Sequence, residues 1–147
     1  DSNVAFINID SIISETTIGK KIQDNLNNIK QENLKKLKTA EKKIKDKQDT
    51  VNKQKNLITE SELKIKIGEL NEEFRKFQSQ KLELSKNYNS EKKIQLEAFF
   101  KKTRPIIEKY MKDNQLEIIF DKKNIFIANS GANISSEIIK LINQEIQ

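Results

Sequence analysis

The sequence has no cysteine, no histidine and no tryptophan, and only three glycines and one proline in 147 residues. Without Cys or His there can be no disulfide, no thiolate or imidazole metal site and no nucleophile–imidazole pair. So little glycine nearly excludes phosphate-cradling loops, and neither G-x-G-x-x-G nor G-x-x-x-x-G-K-[ST] occurs. No apolar run approaches the ~20 residues that a membrane-spanning helix needs. Apolar residues make up 35% of the chain, against about 45–50% in an ordinary globule. The carboxylates are scattered over positions that read as exposed helix, with no pair in an expected cleft. The chain therefore reads as a non-enzyme without metal or cofactor. Its length suits one domain, and so thin a core points to an elongated helical shape, an oligomer or disorder.

What is present is charge, unevenly placed. The formal net charge is +6. Residues 20–112 hold 25 Lys+Arg against 14 Asp+Glu, net +11, while the two ends together hold 3 against 8, net −5. The ends are also the apolar part. This composition shift divides the chain into a body, residues 1–19 with 113–147, and an excursion, residues 20–112. An excess of that size attracts acidic partners at long range.

The excursion reads as two long helices. In the first, Ile18, Ile22, Leu26 and Ile29 have helical spacing, and Leu37, Ile44, Val51 and Ile58 then recur every seven residues. The other seam position is mostly polar, with Glu41, Gln48 and Lys55, so this stripe is too thin for a stand-alone coiled coil but can bury a ridge against one partner. In the second, Leu63, Ile67, Leu70, Phe74, Phe77, Leu84 and Tyr88 follow 4-3-4-3 spacing with one gap at Lys81. Six of the nine aromatics lie on this run and its continuation, either packed on the first helix or partly exposed to a non-native client. Between the runs, Thr59-Glu60-Ser61-Glu62 fits a capping box, with Ile58 and Leu63 at the staple positions, which puts a tight turn near 57–61. The thin stretch from Lys42 to Lys55 predicts that the distal hairpin opens most readily. Pro105 removes a backbone hydrogen bond and predicts a kink in the second helix.

The ends read as a small sheet and a docking helix. Residues 4–9 suggest a strand, followed by a short helix capped by Asp10. Residues 116–120 and 125–128 suggest a β-hairpin, joined by Asp121-Lys122-Lys123-Asn124. A last amphipathic helix carries Ile138, Ile139, Leu141, Ile142 and Ile146, with Ser135 as expected N-cap and Ile134 with Ile139 as staple. The expected fold class is mainly α with a small β part (α+β). Both faces of the small sheet are apolar, so one face needs a partner, most simply another copy of the chain. Phe6, Leu116, Ile118, Ile119, Phe120 and Phe126 are the candidate oligomerisation residues.

This order of elements resembles the OmpH-like family of periplasmic chaperones. Val4-Ala5-Phe6-Ile7-Asn8-Ile9-Asp10 looks like the family's first strand, and Thr17-Ile18-Gly19-Lys20-Lys21 is similar to its Gly-Lys entry to the first long helix. Leu116-Glu117-Ile118-Ile119-Phe120-Asp121 resembles a late family strand, and Asn133-Ile134-Ser135 stands where the family has Asp-Ile-Thr. The resemblance implies a homotrimer with a β body and helical-hairpin arms around a cavity. Unfolded outer-membrane proteins would be held there without ATP, in the periplasm, after removal of a signal peptide. The client-binding candidates are Phe74, Phe77, Tyr88, Phe99 and Phe100, with Lys42, Lys43, Lys45, Lys47, Lys92 and Lys93. Lysine suits loose capture, being a mobile hydrated point charge rather than a geometry-demanding fork. Peripheral contact with an acidic membrane surface is a further expectation. A structural coiled-coil scaffold and a basic nucleic-acid binder are the rival readings. The second is disfavoured by the presence of only two arginines, Arg75 and Arg104, and the lack of a groove-reading motif.

Overall fold

A computed structural model of the chain describes residues 3–147. It contains β1 (Val4–Ile7), α1 (Ile9–Glu15), α2 (Thr17–Gln54), α3 (Glu60–Asp113), β2 (Ile118–Asp121) and α4 (Ser135–Glu145). Two 3-10 turns lie at Lys122–Asn124 and Ser130–Ala132. The class is the expected one, mainly helical with a small β part. The chain forms two compact units: one runs up to Leu26 and takes in Lys92–Gln147, and the other is Asn27–Glu91.

In the first unit β1 and β2 pair in parallel, Val4 level with Ile118 and Ile7 level with Asp121. This corrects the expected hairpin: residues 125–128 form no strand, and β2 pairs with the N-terminal strand instead. The cause is local. The Asp121 carboxylate accepts a hydrogen bond from the Lys123 N–H at 3.2 Å, and the Ile125 N–H donates to the Lys122 carbonyl at 3.1 Å. Asp-Lys-Lys-Asn thus closes a 3-10 turn rather than the positive-φ reversal a tight hairpin requires. Parallel pairing needs a long crossover, and everything from α1 to α3 supplies it.

Ala5, Phe6 and Ile7 of β1 are buried with Ile12, Ile22, Leu26, Phe99, Ile134, Ile138 and Ile142. Ile138 and Ile142 lie one turn apart on the face of α4 that packs on α1. Phe6, expected at an oligomer surface, belongs to this core. So does Phe99, at 1% exposure. The other edge of β1 is held by the Ile134 N–H, which donates to the Phe6 carbonyl at 3.0 Å. Two caps differ from expectation. α1 is capped by Asn8, whose side chain accepts from the Ser11 N–H at 3.3 Å, so β1 ends at Ile7 and Asp10 lies inside the helix. Ser135 is the first residue of α4 rather than its cap, because its hydroxyl already accepts from the Asn8 N–H at 2.8 Å.

The α1–α2 junction explains the Gly-Lys motif. Thr16 is fully buried, and its hydroxyl donates to the Ile12 carbonyl at 2.7 Å and accepts from the Gly19 N–H at 3.1 Å. One side chain therefore closes α1 and caps α2 at its third N–H. A Cβ on Gly19 would fall 1.8 Å from the Ile13 carbonyl oxygen, so only glycine lets the two helices meet here. α3 runs without a break through Pro105 and ends in a Schellman motif. Leu116 N–H donates to the Met111 carbonyl at 2.9 Å, Gln115 N–H donates to Lys112 at 3.3 Å, and Gln115 has φ 56°. Leu116 is thereby used to stop the helix, and β2 begins two residues later than expected.

The second unit is an antiparallel helical hairpin. Its turn occupies residues 55–59, and the capping box forms as expected. The Glu62 N–H donates to the Thr59 hydroxyl at 3.1 Å, and the Thr59 N–H donates to the Glu62 carboxylate at 3.4 Å. A Lys47–Glu73 ion pair at 2.7 Å marks the register. That register sets Val51 level with Leu70, Ile44 with Phe77 and Leu37 with Leu84, and all six side chains are half-buried. A polar layer, Lys47 with Glu73, lies between the first two of these, and Gln54 with Lys66 forms another on the turn side of Val51 and Leu70.

Candidate functional site

Among the described residues no group of acidic side chains is arranged to hold a metal ion, and no helix is long and apolar enough to cross a membrane. Concave features occur in both units. In the first unit an open cleft of about 630 Å³ lies between α3 and α4, lined by Pro105, Ile106, Tyr110 and Leu141 among others. Burial there raises the Tyr110 hydroxyl above its ordinary pKa, and the Glu137 carboxylate adds to the shift. The Lys109–Asp113 pair at 3.2 Å closes part of its rim. In the second unit a groove of about 320 Å³ lies beside the seam, lined by Val51, Leu70 and charged neighbours including Lys43 and Lys47.

The hairpin's chemistry follows from which α3 residues the seam admits. The 4-3-4-3 pattern proposed Ile67 and Phe74 as seam residues. The register instead gives those layers to Lys66 and Glu73, leaving Phe74 52% and Ile67 44% exposed. Phe77 and Tyr88 are half-buried against α2, and the Lys30 ammonium sits 5.2 Å from the Tyr88 ring centre. Phe74 and Phe77 stay in touch, with ring centres 6.4 Å apart. In the first unit Phe100 is partly exposed and packs edge-on against Phe99 at 5.3 Å. Phe99 itself is enclosed and presents no surface.

The candidate lysines also separate. Lys42, Lys43 and Lys45 are exposed on α2, and Lys92 and Lys93 are exposed on α3 in the first unit. Lys47 is committed to Glu73, whose carboxyl is held below its ordinary pKa first by the hydrogen bond from Lys47 and then by its charge. The candidate oligomerisation residues divide likewise. Ile118 and Phe120 are 46% and 42% exposed on one face of β2, Ile119 and Leu116 are half-buried, and Phe126 is fully exposed. Sequence reasoning missed Leu82 and Ile127, at 74% and 83% exposure. Leu82 breaks the seam period, which was the available signal. For Ile127 the strand pattern concealed it.

The fold has a close structural counterpart in the crystal structure of an OmpH-like protein from Caulobacter crescentus CB15, itself proposed to be an outer membrane chaperone. The match has a TM-score of 0.82 and 14% sequence identity, covering 99% of this chain and 86% of that one. Comparison with curated proteins gives no sequence match. The profile of the outer membrane protein (OmpH-like) family matches residues 3–142. With nearly every described residue inside that match, and with the parallel strand pair, long helical hairpin and final helix in the family's fold, the chain belongs to the OmpH-like family.

Proposed function

We propose that the protein is an ATP-independent holdase of the Skp type, which takes up unfolded outer-membrane proteins in the periplasm and prevents their aggregation. The observation that carries this reading is the hairpin unit's surface, where large apolar side chains (Phe74, Ile67, Leu82) stand exposed among lysines of which Lys47 alone has an ion-pair partner among the described residues. A holdase needs exchangeable apolar contacts and long-range attraction rather than a closed specific site. Lysine provides the attraction over a Debye length of about 8 Å at physiological salt. Peripheral contact with an acidic membrane surface is a further part of this reading.

The working form is a homotrimer. Supporting this, β2 has an unpaired outer edge, and Ile118, Phe120 and Phe126 are left uncovered by the chain itself. An exposed apolar edge strand is an aggregation hazard unless another chain covers it. Light scattering should therefore give three times the 17.1 kDa chain mass, and Ile118→Asp should lower it without unfolding the monomer.

The deciding experiment dilutes a urea-unfolded outer-membrane β-barrel into buffer with and without this protein, ATP absent. Suppressed light scattering at a stoichiometric ratio is the expected result. Aggregation that proceeds unchanged removes the holdase reading.

A further inference from the structure

The cleft between α3 and α4 in the first unit has an apolar floor and a charged rim. Its volume of about 630 Å³ lies within the ~300–1,000 Å³ of ligand-sized clefts. α4 turns Ile138 and Ile142, both fully buried, to the core and Leu141 to the cleft. α3 contributes Ile106 and Tyr110, which lie one turn apart on the same face. Ile106, Tyr110 and Leu141 are all half-buried, so the floor they form is still open on one side. The Tyr110 hydroxyl makes no hydrogen bond among the described residues. A phenol sunk into apolar surroundings ordinarily finds a partner for that group, and here the chain supplies none. No candidate oligomerisation residue lines the cleft, so strand contacts between copies at β2 do not use it.

The rim decides the sign of what can enter. Lys109 and Asp113 pair with each other at 3.2 Å and cancel. The charges left over all stand on α4: Glu137, Lys140 and Glu145 line the cleft, are exposed, and have no ion-pair partner among the described residues. The uncommitted rim is thus net −1 in a chain of net +6. The Glu137 carboxylate acts inside the cleft, because it adds to burial in raising the Tyr110 hydroxyl above its ordinary pKa. Glu137 and Glu145 stand about 12 Å apart along α4 at 1.5 Å per residue, with Lys140 between them. An apolar floor between two helices, with a carboxylate towards each end, is the complement of a third helix that carries an aliphatic stripe and a base at each end of it. Bases seven or eight residues apart on such a helix are separated by about 10–12 Å and reach both carboxylates at once.

We propose that the α3–α4 cleft docks an amphipathic helix of a partner protein, one with leucine-type side chains on its apolar stripe and lysine or arginine seven or eight residues apart beside it. This docking is separate from client capture. It takes a helical segment rather than an unfolded one, a basic partner rather than an acidic one, and it uses the first unit rather than the hairpin. The apolar stripe fills the space over Ile106 and Leu141, the two bases pair with Glu137 and Glu145, and the Tyr110 hydroxyl meets a polar group of the partner. Net charge cannot bring the two together, since the chain as a whole repels a basic peptide. At a Debye length of about 8 Å the local carboxylates outweigh that repulsion.

The test uses the full chain and a fluorescein-labelled peptide made of two Lys-Leu-Gln-Ala-Leu-Ala-Gln repeats, read by fluorescence anisotropy at physiological salt. Its leucines share one helical face and its lysines lie seven residues apart. The expected result is saturable binding that weakens at least ~10-fold in Glu137→Lys/Glu145→Lys. Glu32→Lys/Glu41→Lys makes the same change in net charge at two exposed, unpaired acids of the hairpin, and should weaken it less than ~3-fold. Ile106→Ser should also weaken binding, with circular dichroism confirming that the variant is as helical as the parent. The Glu137/Glu145 variant changes only exposed side chains and so keeps the test sound if Ile106→Ser unfolds. Equal losses in the two charge variants overturn the proposal. So does equally tight binding of the same peptide with glutamate in place of lysine, which would place it on the basic hairpin. Absence of peptide binding overturns it as well, including the case in which a second copy of the chain already covers the cleft.

Discussion

The backbone N–H of Asn8 donates to the hydroxyl of Ser135 at 2.8 Å, joining positions 127 residues apart. The same hydroxyl donates onward to the Asn133 side chain at 2.6 Å, and the Asn8 side chain caps α1. The end of β1, the start of α1 and the start of α4 are therefore held by one chain of hydrogen bonds. Ser135→Ala removes two of them and leaves the partly buried Asn8 N–H without an acceptor. The expected cost is about 1–3 kcal/mol. Urea denaturation should show it, with the exposed neighbour Ser136→Ala nearly neutral.

Gly19→Ala should be among the most damaging single-atom additions in the chain. The new methyl group meets backbone, 1.8 Å from the Ile13 oxygen and 2.6 Å from its carbon, which no rotamer change can relieve. Separating α1 from α2 also breaks the Thr16–Gly19 bond. A loss of about 3 kcal/mol is expected. Gly68→Ala, with nothing within 4 Å of the added carbon, should instead raise stability slightly by lowering helix cost. Thermal melts of the two variants moving in the same direction would contradict this assignment.

The Lys47–Glu73 pair makes a pH prediction. The Glu73 carboxyl is held below its ordinary value of 4.5, so the folded state favours the ionised form. Its contribution is present above that ordinary value and is lost as pH falls through the lowered one. Glu73→Gln should melt below wild type at neutral pH, and the gap should close on acidification below about pH 4.5. Both partners are partly exposed to solvent, so the gap should be small and should shrink with added salt. A gap that widens on acidification would show that the pair does not hold the register.

Gln115 sits at φ 56° where the Schellman motif ends α3, a conformation that costs a side-chain-bearing residue energy and costs glycine little. Gln115→Gly should therefore stabilise the first unit by about 0.5–1 kcal/mol. A mid-helix control, Gln78→Gly, should destabilise by about 1 kcal/mol. Denaturant midpoints for the pair should move in opposite directions.

The sequence alone determined the helices, the turn between them and the capping box, because 3.6- and 3.5-residue periodicity and side-chain caps are local. Its pairing of Thr59 with Glu62 was correct because both partners lie within one turn. It also determined that the seam is thin, since Leu37, Ile44, Val51 and Ile58 have no regular apolar companions. Tertiary structure decided what periodicity leaves open. Ile67 and Phe74 fit the 4-3-4-3 pattern as well as Lys66 and Glu73 fit the polar layers, and only the Lys47–Glu73 register left the apolar pair exposed. Two β-rich segments close in sequence suggested a hairpin, but Asp121 bound its own backbone and β2 paired with a strand more than a hundred residues earlier, a choice invisible to local pattern. Charge behaved the same way. Composition revealed the excess, and the antiparallel register, by laying residues 73–86 beside 35–47, gathered it at the middle of the hairpin rather than at its turn.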